Sequence, residues 1–269
     1  MELIDFTNQR RIVAAMSITV NSLYRHPVKG LSPERLEAVP LEPGAAVPND
    51  RRFAIALGST PTETVATEWL SKSHFLMLQK NERLAQLETR FDDTADTLSV
   101  LRGGRQVTRG KLTDPIGRAT IEEFFAAFMK DECRGRPKVV EAAGGHVLSD
   151  HNAPVISIIN LASVKDVERV TQRPVDPLRF RANIWLEGTA PWHEFEWLGK
   201  EITIGDVTLS VTQRIDRCAA INVNPATAER DQNIVKALQM GFRHIEVGIY
   251  ARVETAGTIR TGDSVTTPT

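Results

Sequence analysis

The alternation of apolar and polar positions marks most of this chain as β-structure. Ile18, Val20 and the run to Tyr24 read as a strand, broken into a polar loop at His26-Pro27-Val28-Lys29-Gly30 by its proline and glycine. Phe53, Ile55 and Leu57 recur at a period of two, with Asp50-Arg51-Arg52 at the strand's entrance. Leu98 and Val100 before Gly103-Gly104, with Val107 after it, predict a hairpin. A helical interval interrupts the strands: Ile121, Phe124, Phe125 and Phe128 follow Asp114-Pro115 at spacings of three and four. Gly144-Gly145 suits neither a helix nor a strand interior and marks the joint between two parts, 17–143 and 144–269.

Beyond the joint, Val155, Ile156, Ile158 and Ile159 predict a buried strand. A helix then carries Val164, Val167 and Val170 on one face, with Ser163 and Asp166 as its capping pair. Ile202 and Ile204 alternate up to Gly205-Asp206, and Val207, Leu209 and Val211 alternate after it, the clearest hairpin in the chain. Asp231 is placed to cap a short helix bearing Ile234, Val235 and Leu238, and a last β segment runs from Ile245 to Val253 toward Gly262-Asp263. The fold class expected is α+β, β-rich, with a few short helices.

The 269 residues suit one large or two modest domains, and 41% hydrophobic with 25% charged residues is ordinary globular composition. No stretch approaches the ~20 apolar residues of a membrane helix, so no membrane span is expected. Residues 1–15 carry charges without a sustained apolar core, which argues against a secretory signal and sets a cytoplasmic location as the expectation. A net charge of -1 without a basic stripe makes nucleic acid a poor partner. With Cys133 and Cys218 alone, the chain has too few thiols for a disulfide scaffold, a four-cysteine zinc site or an iron–sulfur cluster.

Any cysteine chemistry therefore rests on one thiol. Cys218 lies just past the end of a strand, in Gln213-Arg214-Ile215-Asp216-Arg217-Cys218, where two arginines would favour a thiolate. A small buried hydrophobe is the competing reading of such a residue, and Cys133, near the charged end of a helix ahead of Arg134 and Arg136, has no comparable setting and is incidental. Lys29, Arg51 and Arg181, each in a loop or at a strand end, would form a site for an anionic ligand if their segments converged, and would be solvated surface cations if not. His26, His74, His146, His151, His193 and His244 show no metal-ligand spacing, and nucleophile-elbow, P-loop and dinucleotide glycine motifs are missing. Asp150 to Pro154 form a polar loop ahead of a buried strand, a common place for ligand contacts, and Trp185, Trp192 and Trp197 read as packing.

Five segments in this order resemble the MOSC-domain proteins that carry an N-terminal β-barrel domain. They are Tyr24-Arg25-His26-Pro27-Val28-Lys29, Asp50-Arg51-Arg52-Phe53, Phe180-Arg181-Ala182-Asn183, Arg217-Cys218 running on to Val223-Asn224-Pro225, and Gly257-Thr258-Ile259-Arg260 before Gly262-Asp263. The resemblance implies a β-barrel-like part packed on a MOSC β-barrel. It implies the molybdenum cofactor, with Cys218 as the catalytic metal ligand and Lys29, Arg51, Asn152, Arg181 and Asn183 as contacts to the pterin. Among relatives are amidoxime-reducing molybdoenzymes, so the implied activity is reduction of N-hydroxylated compounds by removal of oxygen. Electrons would come from a separate protein such as a flavoprotein reductase, a ferredoxin or a cytochrome b5-like protein. The chain departs from the family pattern at Asn224-Pro225, where Asp-Pro is frequent, at Asn152-Ala153 in place of Thr-Ser, and at Ala182 in place of proline. Two other readings stand beside it: a cofactor carrier or sulfur-transfer module without its own turnover, and a metal-free cysteine hydrolase drawing on His244.

Overall fold

The computed structural model describes residues 17–63, 65, 68–143 and 145–268. Both Gly144 of the proposed joint and the segment 1–15 lie outside them. Along the chain the first elements are β1 (Thr19–Arg25), β2 (Glu34–Leu36), β3 (Ala38–Leu41), β4 (Phe53–Ala56), β5 (Leu87–Asp92), β6 (Thr97–Arg102), β7 (Arg105–Lys111), α1 (Pro115–Met129) and β8 (Lys138–Glu141). There follow β9 (Ile156–Asn160), α2 (Leu161–Thr171), β10 (Ile184–Glu187), β11 (Glu201–Ile204), β12 (Val207–Asp216), α3 (Ile234–Phe242), β13 (Glu246–Val253), β14 (Gly257–Arg260) and β15 (Val265–Thr266). The protein is α+β and β-rich.

The main sheet has eight strands in the order β15-β11-β12-β13-β9-β10-β1-β2. Every pair is antiparallel except β9 with β10, whose connection runs through α2. β1 and β2 come from the first part of the chain, yet β1 pairs with β10 from Thr19↔Glu187 to Leu23↔Ile184, so one sheet spans both parts. The two-strand pairing of β3 with β14 also joins them. One apolar core fills the concavity of this assembly, with Leu23, Leu41, Ile158, Leu186, Leu209, Ile249 and Ile259 within it. α2 and α3 cover the opposite face, with Val164, Val167, Ile234 and Leu238 in one apolar cluster with Trp185 of β10.

In the first part, β5-β6-β7 form a meander, β4 pairs with β8, and α1 closes the core through Ile121, Phe125, Phe128 and Met129. The helix starts where expected because Asp114 accepts from the amides of Ile116 (2.9 Å) and Gly117 (3.0 Å), with Pro115 in the first helical position. Its contact with β7 needs Gly117, where an added Cβ would lie 2.2 Å from the Lys111 carbonyl oxygen.

Two capping expectations are corrected. α2 is capped by Asn160, whose side chain accepts from the Ala162 amide at 3.0 Å. Ser163 sits inside the helix, its hydroxyl donated to the buried Glu194 carboxylate. α3 is capped by Asn233, not Asp231, which is instead drawn into an ion pair with Arg179. In both cases tertiary partners took the polar side chain that local pattern assigned to the cap.

Candidate functional site

A cleft of about 360 Å³ opens at the seam between the two parts of the chain. Lys29, Arg51, Arg181, Asn183 and Cys218 all line it, together with Asp50, Lys72, Asp150, His151, Arg217 and Tyr250. Asn152 is exposed and is not among the lining residues. The lining carries six cations, Lys29, Arg51, Lys72, Arg179, Arg181 and Arg217, against the carboxylates of Asp50, Asp150 and Asp216. A chain of net charge -1 has thus gathered a surplus of about three positive charges in one concavity, the arrangement of an anion site.

Its floor is built by backbone geometry. The Lys29 amide donates to Phe53 O and the Arg51 amide to His26 O, which locks the His26–Gly30 loop against the entrance of β4. Arg51 and Arg181 both adopt left-handed backbone, with φ of 48° and 54°, a conformation a non-glycine residue holds only when its surroundings enforce it. Enforcement is visible: the Arg51 guanidinium pairs with Asp50 and donates through Nη2 to Arg181 O at 2.9 Å. Arg181 follows the turn Pro177–Phe180, which Asp176 caps at the Leu178 amide. Its Nη1 donates to Leu31 O at 2.7 Å, while Nη2 is buried with no hydrogen-bond partner. Burial, with Arg51 beside it, pushes the Arg181 guanidinium down to about 9. An unsatisfied donor in a surplus of positive charge is a place where an anion is stabilising.

Lys29 is 7% exposed and donates from Nζ to Leu148 O (3.0 Å) and Asp150 Oδ1 (2.5 Å). Burial lowers its ammonium and Asp150 opposes the shift. Asp150 stands at the rim with its side chain 47% exposed, and against the cost of partial desolvation Lys29, Lys72 and Arg51 bring its carboxyl down to about 2. His26, wholly buried behind Asp50, is pushed down to about 3 by burial and by Arg181 and Arg51, with Asp50 opposing. Asn183 is 2% exposed and its side chain is fully engaged: Oδ1 accepts from Ser157 N and Oγ, and Nδ2 donates to Tyr24 O. It pins β1, β9 and β10 beneath the cleft.

Cys218 is half-buried, between the end of β12 and the turn Ala219–Asn222. The expectation of two flanking arginines is partly corrected. Arg214 turns away, over the Phe195 ring at 4.4 Å and toward Glu246 at 3.4 Å. Arg217 stays in the lining, though its guanidinium is committed to Val247 O and Phe180 O. The further cation at the thiol is Lys72, missed in the sequence because Ser71-Lys72-Ser73 has no pattern that distinguishes it from a solvated turn. Lys72 Nζ stands 3.5 Å from Asp150 Oδ2, and its ammonium is held above its ordinary value, burial opposing while Asp150 and Cys218 sustain the charge.

Cys133, incidental by sequence, is a core packing residue. It is 0% exposed, its Sγ faces Phe125 O at 3.5 Å, and burial, helped by Glu132, pushes the thiol up to about 11. His244, the histidine considered for a hydrolase, lies in an aromatic cluster with Trp192, Phe195 and Phe242, outside the cleft. Trp185 and Trp197, at 2% and 1% exposure, are core residues as anticipated. Among the described residues no group of three or more His, Cys, Asp or Glu side chains is placed to hold a metal ion. A metal here would meet Cys218 as a lone protein ligand, its other donors coming from a bound group.

Residues 17–150 match the MOSC N-terminal beta barrel domain and residues 145–266 match the MOSC domain. The mitochondrial amidoxime-reducing component 1 of Mus musculus is 27% identical over 153 residues, 52% of this chain and 44% of that protein. The molybdenum cofactor sulfurase of Caenorhabditis briggsae is 29% identical over 119 residues, 43% of this chain and 16% of that protein. The matches thus span less than half the length of these two relatives. Among solved structures, the YUAD protein from Bacillus subtilis aligns over 93% of this chain and 94% of its own at 15% identity and a TM-score of 0.43. No helix of the described residues is long and apolar enough to cross a membrane. With both models matched in order over residues 17–266, the chain belongs to the MOSC-domain family, in the form that carries the MOSC N-terminal β-barrel domain.

Proposed function

We propose that the cleft binds the molybdenum cofactor and that the protein reduces N-hydroxylated compounds by removing their oxygen. The observation that carries this reading is the sharing of one cleft by the half-buried Cys218 thiol and a cationic floor whose Arg181 Nη2 lacks a partner. These residues fit the group: Arg51, Arg181 and Lys29 would hold its phosphate, and Cys218 would supply a soft sulfur donor. When bound, the cofactor would supply the two-electron chemistry that removal of oxygen from an N–OH group requires.

The chain's own residues bind and orient. Arg51 and Arg181, cross-linked through the Arg181 carbonyl, present two guanidinium planes in a fixed relation. Asp150 holds both Lys29 and Lys72, so the deep cation and the one beside Cys218 share a carboxylate. Asn183 fixes the strands under them. With two cysteines and no dinucleotide glycine motif, the protein takes electrons from a separate flavoprotein reductase, ferredoxin or cytochrome b5-like protein.

The test gives molybdenum-loaded protein reduced viologen and benzamidoxime and follows benzamidine. Turnover that disappears in Cys218→Ala is the expected result. A loaded protein inert under these conditions defeats the reductase reading and leaves the second one, a cofactor carrier or sulfur-transfer module, which similarity to a protein named molybdenum cofactor sulfurase favours.

A further inference from the structure

The turn Pro177–Phe180 and the segment around Cys218, from Arg217 to Asn222, are stapled to each other in both directions. Arg179, 4% exposed, reaches out of the turn and donates from Nη1 to Asn222 O at 3.1 Å and Ile221 O at 3.4 Å. Arg217, 8% exposed, reaches back and donates from Nη1 to Phe180 O at 2.9 Å. Each guanidinium therefore satisfies carbonyls of the other's backbone. Arg179 is itself held by a two-pronged pair with Asp231, Nη2 to Oδ1 at 2.7 Å and to Oδ2 at 2.9 Å. Asn224 Nδ2 donates to the same Asp231 Oδ2 at 2.8 Å, and the Asn224 Oδ1 accepts from the Ala226 amide.

We infer that Arg179 and Arg217 are positioning residues that set the Cys218 sulfur at a fixed distance from the Arg181 guanidinium. The reasoning is geometric. Arg181 is the residue directly after the turn, and Cys218 lies between Arg217 and Ala219–Asn222, so the two groups that face the cleft adjoin or lie within the two stapled segments. A guanidinium is suited to the task because its planar fork spans adjacent carbonyls and a carboxylate at once, which an ammonium cannot do. Burial removes competing water, and the Asp231 carboxylate balances the charge of Arg179.

The departure at position 224 follows from the same arrangement. The loop's carboxylate is Asp231, and it needs a donor opposite, which Asn224 provides and an aspartate would not. Asp231 is thereby locked by Arg179 and Asn224 and is not free to deliver protons. Asn224 acts through Asp231 on the same staple.

The inference takes Cys218 and Arg181 as the cofactor-facing groups and so rests on the proposed function, but its test reads the thiol directly. In metal-free protein the rate of Cys218 modification by Ellman's reagent is measured at fixed pH, with Cys218→Ala as the baseline because Cys133 is fully buried. Arg179→Lys is expected to raise the Cys218 rate about tenfold, as loss of one charge-assisted bond's worth of local stability produces. It should also lower the molybdenum retained after expression in a cofactor-competent host. Arg217→Lys should do the same. Asn224→Asp, which sets two carboxylates against each other without removing a buried arginine, serves if either arginine variant fails to fold. A purely structural role would lower the unfolding midpoint and leave the native-state thiol rate unchanged. Rates within twofold of wild type in the folded variants overturn the inference. Wild-type protein that binds molybdenum yet leaves benzamidoxime untouched defeats the reductase reading instead, and the thiol rates keep their meaning.

Discussion

Acidification from pH 7 to about 5 should cost this protein stability through one buried side chain, His26. Its imidazole is 1% exposed, sits 3.6 Å from Asp50 Oδ1, and is held neutral by burial and by Arg181 and Arg51, which outweigh Asp50. The folded value is about 3, against 6.5 for an ordinary histidine. Because the folded value is depressed, the unfolded chain binds a proton that the native state refuses. The stability contribution is complete above the ordinary value and is lost as pH falls through it toward 3. pH 5 lies about 1.5 units below the ordinary value that the unfolded histidine keeps, which at about 1.36 kcal/mol per unit gives a loss of about 2 kcal/mol. Against a total of about 5–15 kcal/mol for a typical domain this is measurable.

The assay is equilibrium denaturant unfolding at the two pH values, on wild type and on His26→Leu, which removes the titrating group. Wild type should lose about 2 kcal/mol over this interval and the variant much less. Asp50 and Asp150, the other strongly shifted groups of the site, are lowered from an ordinary value of 3.8, so they contribute mainly below this window. Equal losses in wild type and variant would refute the assignment of the acid sensitivity to His26.

Cys218→Ala should abolish molybdenum retention with little change in folding, whereas Cys133→Ala should cost about 1 kcal/mol from a small core cavity and leave metal content intact; equal effects on metal would undo the ligand assignment. Arg181→Lys should weaken cofactor retention although the charge is kept, because the fork that bonds Leu31 O and leaves Nη2 free becomes a single point charge; unchanged retention would show that the fork is not used. Millimolar sulfate should raise the unfolding midpoint of the metal-free protein, because Arg181 Nη2 is a buried donor without a partner beside further positive charge; an equal rise in folded Arg181→Leu would contradict an anion site there.

Much of the fold was legible because local pattern and tertiary role agree there. The hairpin from Ile202 to Val211 alternates in sequence and buries the same residues in the sheet, and α1 begins at the Asp114-Pro115 signal that announced it. Convergence of Lys29, Arg51 and Arg181 was suggested only as a condition, since three strand ends can meet only if the sheet order brings them together. Lys72 was not legible, because nothing separates a lysine in a Ser-Lys-Ser turn from a solvated one until Asp150 and Cys218 are seen beside it. Arg214 and Arg217 both precede Cys218 by four residues or fewer, but in β12 Arg214 turns outward to Glu246, while Arg217, just past the strand's end, turns inward to Val247 and Phe180. The caps of α2 and α3 misled for a related reason: Ser163 and Asp231 are good capping residues locally, but buried partners at Glu194 and Arg179 compete for them.

The placement of the site follows from how the sheet is assembled. Family matches divide the chain near residues 145–150, but the hydrogen bonds do not respect that division. β1 lies between β10 and β2 in the main sheet, and the loop leaving it, His26–Gly30, carries Lys29 back against β4 of the first part. Arg51 from the first part donates to the Arg181 carbonyl of the second, and Arg181 donates to Leu31 O of the first. Lys29 and Arg51 thus hold their positions by bonds that cross the seam, and the left-handed backbone of Arg51 and Arg181 is maintained from across it. Strain of that kind persists only while its surroundings over-determine it. An anion lodged between the two guanidinium groups would relieve the positive surplus that the crossing bonds hold together, so ligand binding and the docking of the two parts draw on the same interactions and must strengthen each other.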